Sequence, residues 1–128
     1  MSDNNNVNTY LEKDGEQGKI NISEDVIVYI VAAAALEIEG VKSLASNVGV
    51  DIAEFLGKKN VAKGVKIQII DNKISADVYV IVKYGYVIPN VAKKIQNAVY
   101  SAVESMTGLK VGTVTVHVSS VSIDNPKE

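Results

Sequence analysis

The stretch from Ile74 to Tyr84 constrains this chain most. Apolar residues fall on every second position (Ile74, Ala76, Val78, Val80, Val82, Tyr84), with Ser75, Asp77, Tyr79 and Lys83 on the positions between. A period of two belongs to a strand with one buried and one wetter face; a helix would repeat about every 3.6 residues. Just upstream, Val65, Ile67 and Ile69 alternate the same way, and Asp71-Asn72-Lys73 supplies turn residues between the two runs. The spacing predicts an antiparallel hairpin laid on a core.

Two helical patterns can cover that core. In the second, Ile88, Val91, Ala92, Ile95, Ala98, Val99, Ala102, Val103 and Met106 recur at helical spacing, and Lys93, Lys94, Asn97, Ser101 and Glu104 lie opposite. Pro89 suits its first turn and Gly108 its stop. The first helix follows the N-cap Ser23, has Glu24 and Asp25 in its first turn, and is expected to run to Glu39 with Gly40 as its left-handed end. A short strand, Lys19 to Ile22, precedes it, and a last strand alternates Val114, Val116 and Val118 with Thr115, His117 and Ser119. Val41 to Asn47 reads as a loop or a short strand. Asp51 to Leu56 reads as one or two helical turns, followed by a basic loop to Gly64.

The order is strand, helix, strand, strand, helix, strand. It predicts an α+β single domain, a mostly antiparallel sheet with two helices on one face. A ferredoxin-like arrangement is the first expectation; a related α+β strand order satisfies the same pattern. Residues 1–17, rich in Asn, Asp, Glu and Gly, read as a flexible N-terminal tail. The domain spans residues 18–123, and residues 124–128 form a short C-terminal tail.

Composition narrows the chemistry. All 13 basic residues are lysine, against 15 acidic ones, for a net charge of -2. That balance lacks the basic excess of proteins that coat nucleic acid, and without arginine no bidentate guanidinium fork is available. There is no cysteine and one histidine, so thiolate and multi-histidine metal sites are excluded. No cofactor is expected. Met1 to Asn8 is polar and unlike an export signal. The longest uncharged apolar run, Val26 to Leu36, is eleven residues, against roughly 20 for a bilayer span. The expected location is cytoplasmic, with no direct membrane span.

Few residues can carry a function. Strand parity places His117 on the outer sheet face with Thr115 and Ser119, where Asp77 and Tyr79 can join it. A His-Asp pair there could do acid-base work, or simply be solvated. Lys58, Lys59, Lys63 and Lys66 cluster around Gly57 and Gly64, as an anion contact or as a loop kept polar. The first helix is apolar all round. Ile27, Ile30, Val31, Ala34 and Ile38 form one stripe, and Tyr29, Ala32, Ala33 and Leu36 a second on nearly the opposite side. The second stripe is either buried in the monomer or a self-association or partner surface. Ile81 sits among the polar outer-face residues as a scattered surface side chain.

Longer segments carry a resemblance. Tyr84-Gly85-Tyr86-Val87-Ile88-Pro89-Asn90-Val91-Ala92-Lys93-Lys94-Ile95-Gln96 resembles the alkaline-shock, or envelope-stress-response, protein family of Gram-positive bacteria. So do Met106-Thr107-Gly108-Leu109-Lys110-Val111, Val114-Thr115-Val116-His117-Val118, Gly18-Lys19-Ile20 and Glu39-Gly40-Val41. The likeness runs from about Gly18 to Ile123. It implies a small non-enzymatic cytoplasmic protein linked to cell-envelope homeostasis; some members of the family are abundant, self-associate and sit at the membrane through a separate membrane-anchored partner. Other members are housekeeping proteins linked to fatty-acid supply. The family has no established catalytic or cofactor residues to carry over.

The leading expectation is therefore an interaction or scaffold protein that forms homo-oligomers and docks onto a membrane-anchored protein. The alternative is a small RNA-binding module using the lysine loop 58–66 and Tyr79, against which the charge balance speaks. A hydrolase or transferase built on His117 and Asp77 is the third, with no substrate indicated by the sequence.

Overall fold

The computed structural model describes residues 10–15, 18–45 and 64–123. In chain order the elements are β1 (Tyr10–Gly15), β2 (Gly18–Ser23), α1 (Glu24–Leu36), β3 (Val41–Leu44), β4 (Val65–Ile70), β5 (Lys73–Lys83), α2 (Ile88–Thr107) and β6 (Val111–Ser122). The result is α+β, with a mostly antiparallel four-stranded sheet and both helices against one of its faces.

β5 is the spine. Its even residues Ile74, Ala76, Val78, Val80 and Val82 are buried, as the alternation predicts. Asp71 and Asn72 both take positive φ, 53° and 65°, the conformation a tight hairpin needs at its two central residues. They fold β4 back so that Val65 faces Val78 and Ile70 faces Lys73. β6 runs parallel to β5 along one whole edge, from Ile74 opposite Val111 to Lys83 opposite Ser122. α2 makes the crossover that a parallel pair requires.

β3 and β4 therefore share the other edge of β5 end to end. β3 pairs with Val80 to Val82 and β4 with Lys73 to Val78. They meet at Tyr79, whose backbone N–H donates to Gly64 O at 2.8 Å and whose carbonyl accepts from Ala45 N at 2.8 Å.

Both helices bury one stripe on the even face of β5. Ile27, Val31, Ala34 and Ala35 of α1 meet Val91, Ile95, Val99 and Val103 of α2 in one apolar cluster. Each fully buried Val or Ile there contributes about 1.5–3 kcal/mol. The Ser23 hydroxyl accepts from the Asp25 N–H at 3.1 Å and starts α1. Pro89 lies in the first turn of α2, and Gly108, at φ 76°, ends it as expected.

Several expectations need correction. α1 stops at Leu36, not Glu39. The Glu37 and Ile38 N–H groups bond three residues back, to Ala34 O and Ala35 O, and tighten the end into a 3₁₀-type turn. Gly40, at φ 102°, then turns the chain into β3, which settles Val41 to Leu44 as a strand. Residues 10–15, expected as tail, form β1, and the Lys19–Ile22 strand pairs with β1 in a separate hairpin rather than in the main sheet. Tyr84, expected on the buried face, is exposed: β5 ends at Lys83, and the Tyr84 N–H donates to Ser122 O as the chain turns away. The segment Asp51–Leu56 lies outside the described residues.

Candidate functional site

α1 is apolar all round, but its core takes only one side. Val26 (46% exposed), Tyr29 (61%), Ala33 and Leu36 (43%) remain in the open. Their spacing of three, four and three puts them on one face, the seam pattern of a helix that packs against another helix. The stripe expected from the sequence was Tyr29, Ala32, Ala33 and Leu36. Ala32 departs from it: at 1% exposure it is buried. Its helical angle lies on the flank between the open and packed sides, and the small side chain lets that flank close. Val26 takes its place on the open face. Its position three before Tyr29 and seven before Ala33 was the available signal.

Met106 adds to this face from α2. It belongs by spacing to the buried stripe, yet it is 70% exposed, in the last turn of α2. Between the helices runs an open groove of about 560 Å³, floored by Tyr29, Ile30, Ala33, Ala98 and Met106, with Glu37 on its rim. An adjoining hollow shares Tyr29, Ile30 and Met106 and extends to Val26 and Asp25. The combined groove follows α1 from Asp25 to Glu37, about 18 Å at 1.5 Å per residue.

Its ends are acidic. α1 contains no basic residue, has Glu24 and Asp25 in its first turn, and is followed by Glu37 and Glu39. Burial, and next the Asp25 carboxylate, push the Glu24 carboxyl above its usual range. At the other end the Glu39 charge is the main cause that raises the Tyr86 phenol, whose hydroxyl donates to Glu39 Oε2 at 3.3 Å. The carboxylates at the end of α1 also meet the negative end of its own dipole, with no lysine in the last turn to offset them.

The outer sheet face holds a second cluster. His117 Nε2 lies 3.0 Å from Asp77 Oδ1. The Tyr79 and His117 rings stack at 4.3 Å between centroids and 9° between planes. From the β4 side, Lys66 Nζ sits 5.9 Å from the Tyr79 ring centroid. Strand register accounts for the grouping: Tyr79 is opposite His117, and Asp77 is opposite Lys66. Stacked in this way, the Tyr79 ring gives its face to His117 rather than to a nucleic-acid base, and the Asp77 carboxylate beside it repels phosphate. The His–Asp pair can hold or pass a proton at a half-exposed site, and Ile81 lies half-buried on the same strand.

Of the four lysines proposed as an anion contact, Lys66 is the one described, and it leans on Tyr79. Lys58, Lys59 and Lys63 lie outside the described residues. Among the described residues no three His, Asp or Glu side chains group as metal ligands, and no helix is long and apolar enough to cross a membrane.

Comparison with known proteins adds the following. The family model for alkaline shock protein 23, described as having a cell envelope-related function, matches residues 12–123. The uncharacterized protein YqhY of Bacillus subtilis is 34% identical over 120 residues, which cover 91% of this chain and 89% of that protein. The uncharacterized protein Spy1614 of Streptococcus pyogenes serotype M6 is 38% identical over 110 residues, covering 84% and 91%. Among solved structures, a variant of MamM-CTD is similar at a TM-score of 0.47 and 15% identity, covering 76% of this chain and 98% of that one. That likeness is too distant to bear on function.

Proposed function

The chain belongs to the alkaline shock protein family, whose function is cell envelope-related, and from that premise we propose that it is a non-enzymatic interaction protein of the envelope. It associates with itself, docks onto a membrane-anchored partner, and is cytoplasmic and peripheral to the membrane through that partner. The observation that carries the docking of a partner is the apolar face of α1. Val26, Tyr29, Ala33 and Leu36, with Met106 beside them, leave a contiguous apolar surface open at the side of a well-packed core. Contiguous patches of this kind mark interaction sites, whereas scattered apolar residues do not.

The test uses the tagged full chain, recovered from membranes of a Gram-positive host, beside Tyr29→Asp and Leu36→Asp. The expected result is a small membrane protein retained by the wild type and lost with either substitution, together with a wild-type mass by light scattering above that of the monomer. A monomeric wild type that retains no membrane protein would refute the reading.

A further inference from the structure

The groove between α1 and α2 has an apolar floor and acidic ends, and its geometry points to one occupant: a basic amphipathic helix of a partner protein, laid along α1 with its apolar side on Tyr29, Ala33 and Met106 and cationic side chains at both of its ends. This rests on the reading of the chain as an interaction protein and specifies the chemistry of its partner.

Length, shape and charge agree. The open face is a helical seam about 15 Å long from Val26 to Leu36, which accepts three turns of another helix. Glu37 stands on the groove rim, and Asp25 lines the other end about 18 Å away along α1. A helix with lysine or arginine about twelve positions apart places a cation near each. At the Glu37 end the Glu39 charge is also what chiefly raises the Tyr86 phenol.

A second copy of this chain fits poorly. Packing α1 on α1 in antiparallel fashion brings Glu37 beside the other copy's acidic first turn; parallel packing brings Glu37 against Glu37. Both juxtapose like charges. α2 does carry Lys93 and Lys94, but its apolar stripe of Val91, Ile95, Val99 and Val103 is already buried in its own core. Among the described residues the chain has no basic helix with a free apolar side.

The test uses a fluorescein-labelled synthetic peptide of fourteen residues, with leucines at helical seam spacing and two lysines at each end, and the same peptide with glutamates at the ends. Anisotropy is read with the full chain at low and high salt. The lysine peptide is expected to bind roughly tenfold more tightly than the glutamate peptide, with the advantage shrinking as salt rises. Ala33→Asp, at an exposed position, is expected to weaken it by roughly tenfold or more. Glu37→Lys should narrow the preference for lysine by about three- to tenfold. Circular dichroism checks that both variants fold, and Tyr29→Asp serves as the second groove variant.

Equal binding of the two peptides, or no binding of either, overturns the inference. So does a wild-type oligomer that Ala33→Asp converts to monomer, since the occupant is then a second copy. A membrane protein still retained by Ala33→Asp overturns the basic-helix inference alone and leaves the interaction reading standing.

Discussion

Gly40 and Tyr86 approach so closely that no side chain fits between them: a Cβ on Gly40 would lie 2.8 Å from Tyr86 Cδ2 and 3.0 Å from Val91 Cγ2. The ring is tethered by its hydroxyl to Glu39. Gly40 also has φ 102°, where any other residue is strained. Gly40→Ala is expected to cost about 2–4 kcal/mol, strain and overpacking together. Gly85 has the same φ with nothing within 4 Å, so Gly85→Ala should cost only about 1–2 kcal/mol. Urea unfolding of both variants separates the two terms, and equal losses would mean that the Tyr86 ring simply moves aside.

The Tyr86 phenol, raised chiefly by the Glu39 charge, links the fold to alkaline pH. The neutral phenol is the form the folded state favours. Its contribution is therefore complete below about pH 10 and is lost as the pH climbs through the raised value. Tyr86→Phe should lose stability less steeply than the wild type above that point. Denaturation midpoints across pH 8–11 check this, and parallel curves would show that the Glu39 contact is absent in solution.

Core and groove should respond oppositely to truncation. Ile95 is fully buried between helices and sheet, and Ile95→Ala is expected to cost about 2–5 kcal/mol. Met106→Ala, on the open face, should change stability by no more than about 0.5 kcal/mol. A large loss at Met106 would mean that the groove is closed in solution.

The Asp77–His117 pair is part-exposed on both sides. A double-mutant cycle of Asp77→Asn and His117→Ala should return a coupling of about 0.2–1 kcal/mol, as for other surface pairs. A coupling several times larger would mark the pair as more than a surface contact and would reopen the catalytic reading.

The parts of the fold set by local periodicity were legible in the sequence. Ile74 to Val82 alternates strictly, α2 repeats its stripe from Val91 to Val103, and Asp71, Asn72 and Gly108 take the backbone conformations their residue types favour. The parts set by pairing with another strand were not. β1 has the sequence Tyr-Leu-Glu-Lys-Asp-Gly, which shows no strand pattern, and it is defined by its partner β2. The parallel partnership of β5 with β6 depends on how α2 crosses over, which no window of sequence records. The exposed stripe was three-quarters legible: rotation about the helix axis located Tyr29, Ala33 and Leu36, but which flank the core would close over, and so the fate of Ala32, depended on tertiary packing. His117 and Asp77 were placed together by parity, yet the stacking of Tyr79 on His117 needed the β5–β6 register.

Tyr79 also closes a circuit. Ala45 and Gly64, far apart in the chain, are both held by one residue of β5 through its own carbonyl and N–H. β3 and β4 thus behave as a single strand cut in two and rejoined against a common template. The join holds only while position 64 keeps a residue small enough to pass between two carbonyls: a Cβ there would lie 2.8 Å from Ala45 O and 2.9 Å from Tyr79 O.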